Sequence, residues 1–185
     1  MMLKYIRKRK EKNMNKSLTR SLTRVSLFAA LMAVSALIYI PLPVPITLQT
    51  LVMFFALFTI GGREGSIAVF IYIALGAIGL PIFSGFTGGI SRLFDATGGY
   101  IFGMLAGALV YWLMERLPDT KVFAAIKSAS VILTIYLLGT IWYSLIYLDG
   151  GFGYIITVCV LPFIIPDAIK IYLAYIISKR IRLSE

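Results

Sequence analysis

An all-α bundle embedded in a membrane is the fold class this sequence predicts, and three observations predict it. Hydrophobic residues occupy 59% of the 185 positions and charged residues 14%, too little polarity to cover a soluble domain of this size. Apolar runs follow one another from Val25 almost to the C-terminus, broken by Pro, Gly or short charged gaps. Those runs lack the alternation of a barrel strand, so only helices can satisfy their backbone in hydrocarbon.

The elements follow in chain order. Residues 1–24 form a basic tail, MMLKYIRKRKEKNMNKSLTRSLTR. The apolar run after Arg24 continues without a small-residue cleavage site and leads into further spans, so the tail reads as retained and cytoplasmic. Met14 offers a second plausible start. The membrane domain, 25–178, divides into segments at 25–40, 47–60, 66–80, 100–114, 122–147 and 154–178, followed by a short basic tail, 179–185. The second and fourth segments are short against the roughly 17 to 25 residues usually needed. They must borrow flanking apolar residues or be shielded by neighbouring helices.

Charge sets the orientation. With six spans both termini share a side, and that side receives sixteen Lys and Arg residues while the other receives only Arg92. Both termini are therefore expected in the cytoplasm of a bacterial-type cell whose plasma membrane holds the chain. The net charge of +10 has no aromatic interleaving that would suit nucleic acid, and none is expected as a partner. The single cysteine, Cys159, reads as a small core hydrophobe. Without histidine, and with acids scattered at Glu64, Asp95, Glu115, Asp119 and Asp149, there is no metal cluster and no nucleophile beside a base. A membrane enzyme is disfavoured, and no cofactor is expected.

Lys170 remains unassigned because it falls within the last span, in PFIIPDAIK. Asp167 lies three residues earlier, on the same helical face. A rise of about 1.5 Å per residue from Lys179 places Lys170 about 13 Å and Asp167 about 18 Å inside the membrane. Two intramembrane charges are costly enough to suggest a site for a polar or anionic solute; the competing reading is an ion pair that locks helix packing. Pro162 and Pro166 predict a kink, placed at Pro166.

The richest external connection, GLPIFSGFTGGISRLFDATGGYIFG from Gly79 to Gly103, suits an irregular loop folded over a cavity, or a plain surface connector. It contains no phosphate cradle. Tyr100 adjoins this loop, and Trp142 and Tyr143 are candidates either to stack on a ligand ring or to form an interfacial belt. Ala29, Ala33 and Ala36 form a small-residue stripe for internal packing or for docking a partner membrane protein.

PITLQTL, GGREGSIAVFIYIALGAIGLPIFSG, TGGY and PDAIK, in this order and spacing, resemble the BioY family, the biotin-binding substrate components of energy-coupling-factor (ECF) vitamin transporters. The resemblance covers nearly the whole chain after the basic tail. It implies six helices, an outward-facing pocket for biotin, and no ATPase of the chain's own. It also implies two kinds of partner, a transmembrane coupling subunit and a pair of cytoplasmic ATPases. The family's last-helix Asp and Lys fall on Asp167 and Lys170, and its small residues that touch the coupling subunit fall on Ala29 and Ala33. On that resemblance Lys170 neutralises the carboxylate of biotin and Asp167 accepts from its ureido N–H groups. Thr87 and Gln49 are further hydrogen-bond candidates, while Gly85, Gly88 and Gly89 let backbone pack over the ring. The family pattern of SGG and then Leu-x-Gly-Pro-Thr-Gly-Gly-Tyr is altered here by Phe86, Asp95 and Ala96, substitutions expected to change the pocket's shape and charge. The alternatives are the same architecture with another carboxylate-tailed cofactor such as lipoate and, further off, a membrane enzyme or assembly factor.

Overall fold

The computed structural model describes residues 2–146 and 152–182; the connection containing Asp149 lies outside the described residues. Helix α1 spans Met2–Ala36, α2 Gln49–Ala77, α3 Ile90–Leu93, α4 Gly98–Leu113, α5 Lys121–Ile146, α6 Phe152–Cys159 and α7 Leu161–Arg182. Two short strands, β1 (Tyr39–Ile40) and β2 (Ile46–Thr47), pair antiparallel with Tyr39 opposite Thr47. They turn the proline-rich connection between α1 and α2 into a small hairpin.

Among the described residues, four helical stretches are long and apolar enough to cross a membrane: Gln49–Ala77, Gly98–Arg116, Lys121–Ile146 and Gly153–Ile181. The first is itself doubled back. Gln49 Nε2 donates to the Tyr72 hydroxyl, although 23 residues of straight helix would separate them by about 35 Å. The reversal occurs at Gly61, whose φ of 87° lies in the region that favours glycine. At Gly62 a Cβ would sit 2.5 Å from Trp112 Cα, so the turn presses directly onto the end of α4. Glu115 Oε1 accepts from the Gly62 N–H at 3.0 Å, satisfying an orphan donor where the second arm begins. The arms, 49–60 and 62–77, correspond to the expected second and third segments, and both are shielded by neighbours: Met53, Phe54, Leu57, Val69 and Tyr72 are fully buried.

The last span breaks earlier than expected. The interruption falls at Val160, between α6 and α7, while α7 runs on through Pro166. Pro162 accounts for both facts. Its ring conflicts with the carbonyl of Val158, ending α6 close by, and its missing N–H costs nothing in the first turn of α7.

The closest helix seam is also not the one expected. Gly99, Gly103 and Gly107, four apart on α4, lie against Trp142, Ile135 and Val131 of α5, with hypothetical Cβ atoms within 3.0 Å of them. This is small-residue packing of the kind that holds membrane helices. On α1, Ala29 and Ala36 are buried and face the core, and Ala33 is half-buried. Ala29 thus lies on the side that α1 packs against α2, and Ala33 is the more open of the two.

Candidate ligand-binding site

Asp167 and Lys170 meet at the heart of the bundle. The chain tolerates them there because every charge has partners. Lys170 Nζ donates to Asp167 Oδ1 at 2.8 Å and to Thr50 Oγ1 at 3.1 Å. The Thr50 hydroxyl in turn donates to Asp167 Oδ1 at 3.2 Å, and the Tyr136 hydroxyl donates to Asp167 Oδ2 at 2.8 Å. Three elements contribute: the first arm of α2, α5 and α7. The ammonium keeps one N–H beyond these two bonds, and the carboxylate keeps spare lone pairs. Asp167 and Lys170 are only 4% and 6% exposed.

These four side chains line one wall of a cavity. Tyr100, Tyr136 and Phe163 form an aromatic side, with the rings of Tyr100 and Phe163 stacked at 6.2 Å and Tyr136 edge-on to Phe163 at 6.5 Å. The Tyr100 hydroxyl donates to the Cys159 carbonyl at 2.9 Å, a group freed near the break before α7. Val44, Met104 and Ile135 add apolar surface, and Thr47, Gln49, Ser84 and Thr97 add polar atoms near the loops. Such a mix, mostly apolar with a few fixed polar groups, is what a small-molecule site requires.

Asp167, Lys170, Tyr100 and Gln49 thus converge on one cavity. The other nominated residues do not reach the cavity. Thr87 closes the loop on itself: its hydroxyl donates to the Ser84 carbonyl at 2.9 Å, and its own carbonyl accepts from Phe83 N–H. Gly85 and Gly89 have positive φ, and a Cβ at Gly88 would lie 2.2 Å from the Leu80 carbonyl oxygen. These glycines shape the loop and do not line the cavity. Trp142 pins the loop from α5, donating from Nε1 to the Asp95 carbonyl at 3.0 Å with its ring beside Phe94 and Phe102. Tyr143 is buried in a satellite cluster with Val44, Ala96 and Cys159.

Phe86 is likewise not a pocket residue. It is 66% exposed with φ 56°, so its side chain stands outside the cavity. Asp95 also points elsewhere, accepting from Arg92 Nη1 at 2.5 Å and from Ala96 N–H at 2.8 Å. Arg92 is the residue that motif reasoning missed. It lines the cavity from the loop side, and its Nε is buried with no partner among the described residues. Its signal was that charge counting leaves it as the one cation expected on the external side.

The BioY family model matches residues 8–184. The biotin transporter BioY of Thermotoga maritima is 36% identical over 160 residues, covering 86% of this chain and 94% of that protein. The probable biotin transporter BioY of Pyrococcus horikoshii is 37% identical over 159 residues, covering 85% and 93%. Among solved structures, the S-component for biotin from an ECF-type ABC transporter superposes with a TM-score of 0.80 at 27% identity, covering 91% of this chain and 93% of that one.

Proposed function

The chain belongs to the BioY family, and we propose that it is the membrane-embedded binding component of an ECF-type transporter, taking up biotin from outside the cell. The family is one of transport components, so the chain is not an enzyme. In this reading the driving force comes from a separate transmembrane coupling subunit and two cytoplasmic ATPases, and both termini face the cytoplasm.

The observation that carries the ligand assignment is the closed cluster of Asp167, Lys170, Thr50 and Tyr136. Its charges already cancel at 2.8 Å in a buried setting. A second carboxylate placed there would leave an uncompensated buried negative charge. The neutral ureido group of biotin fits instead, its N–H groups donating to Asp167 and its carbonyl accepting the spare N–H of Lys170. The valerate carboxylate then meets Arg92, whose unpartnered Nε and half-open surroundings suit an anion. This reverses the expectation that Lys170 neutralises the carboxylate. Tyr100 and Phe163 flank the bicyclic ring, and Gln49 stays engaged with Thr47 and Tyr72.

Lipoate has a carboxylate but no ureido group, so it would cover the cluster without satisfying it. Titration calorimetry of the detergent-purified chain with biotin and lipoate tests the reading. Biotin is expected to bind one per chain and lipoate far more weakly; equal affinities, or no binding of biotin, would overturn it.

A further inference from the structure

Away from the cavity, α5 and α7 barely touch. Between them an apolar crevice opens, walled by Ala124, Ala125 and Ser128 of α5 and by Ala168, Ile171 and Tyr175 of α7. The Ser128 hydroxyl is spent on the Ala124 carbonyl at 2.8 Å, so the crevice presents almost no polar atom. Its α7 wall runs from Ala168 to Tyr175, about 11 Å; the adjoining hollow, which shares Phe58, Ala124 and Tyr175 with it, extends this to Lys179, about 16 Å in all and close to the roughly 15 Å hydrocarbon depth of one leaflet.

Its mouth has the opposite character. Lys121 lines it and is exposed, while the adjoining hollow holds exposed Lys179 and buried Lys127. Lys127 Nζ donates to the Leu117 carbonyl at 3.0 Å and to Asp119 Oδ1 at 3.4 Å, and sits 5.7 Å from the Tyr111 ring centroid. Lys179 Nζ lies 5.1 Å from the Tyr175 ring centroid. Three ammonium groups face a single carboxylate, Asp119, among the residues lining these adjoining hollows. We propose that the crevice binds one anionic phospholipid from the adjacent leaflet, with an acyl chain between α5 and α7 and the phosphate against Lys121 and Lys179. An apolar slot of leaflet depth that ends in paired lysines matches both halves of such a molecule. A peptide helix would bury its own backbone without using the lysines, and a zwitterionic lipid would gain little from them.

Native mass spectrometry of the full chain released from nanodiscs of equal phosphatidylglycerol and phosphatidylcholine tests this. One phosphatidylglycerol per chain is the expected adduct. Lys121→Ala/Lys179→Ala should lower its preference over phosphatidylcholine roughly 30-fold, and Lys121→Arg/Lys179→Arg should restore it. Ala125→Trp, which fills the slot, should reduce retention of both lipids while the protein still elutes as a monodisperse species. Equal retention of the two lipids by the wild-type chain, or a double alanine variant that keeps its preference, would overturn the proposal. So would a crevice variant that keeps its lipid but loses assembly with transport partners, which would assign the slot to a partner helix.

Discussion

Asp167–Lys170 and Arg92–Asp95 are both acid–cation pairs three residues apart, yet they behave differently. In the first the side chains are 6% and 8% exposed; in the second Arg92 and Asp95 are 28% and 44% exposed. The buried pair sits in a helix held by Thr50 and Tyr136, and neither partner can leave without stranding the other. The loop pair is wetter and worth little to the fold. Arg92 can exchange its carboxylate for another anion at small cost. Identical spacing therefore yields a rigid pair in α7 and an exchangeable one that begins in α3.

The largest effect should come from breaking the rigid pair on one side. Lys170→Ala leaves Asp167 charged and buried, which is expected to cost about 3–5 kcal/mol and to abolish biotin binding. Thermal melting in detergent and calorimetry report the two losses separately. Asp167→Asn/Lys170→Ala should recover most of the stability and none of the binding. If Lys170→Ala binds biotin normally, the pair is structural only. Tyr136→Phe comes next, removing a hydrogen bond to the carboxylate worth about 1.5–3 kcal/mol. Melting should fall, and biotin should bind more weakly because Asp167 is held less firmly.

Arg92→Gln tests the exchangeable pair. Stability should change by less than about 1 kcal/mol, whereas biotin affinity should fall roughly tenfold or more, in line with losing a charge-assisted bond. Biotin methyl ester supplies the discriminating arm. It carries no anion, so wild type and Arg92→Gln should bind it alike. A variant that loses biotin and ester equally would place Arg92 on another part of the ligand.

The same contrast explains what was legible in the sequence. Burial makes charge expensive, so Asp167 and Lys170 stood out in an apolar run, and hydropathy gave the segments of the bundle with the same directness. The break at Val160 was less legible because two prolines compete, and only packing shows that Pro162 prevails. Arg92 is ordinary by composition, since a loop arginine costs nothing; its role rests on how the loop folds back over the cavity. Thr50 and Tyr136 were invisible for a related reason: hydroxyls at two distant positions gain meaning only when α2 and α5 bring them to one carboxylate. The seam of Gly99, Gly103 and Gly107 was written in the sequence, but no periodic pattern says which neighbour it faces.

Phe86 gives the smallest predicted effect and isolates the loop from its ligand. A side chain at φ 56° pays a local cost of about 1–2 kcal/mol that glycine avoids, while glycine loses more freedom on folding, by about 0.5–1 kcal/mol. These terms partly cancel, so Phe86→Gly should change melting only slightly, with a net gain of at most about 1.5 kcal/mol. Because the side chain is 66% exposed and outside the cavity, biotin affinity should stay unchanged. An affinity change of tenfold would mean that the loop around Phe86 reaches the ligand after all, and that the loop side of the site recognises biotin through more than Arg92.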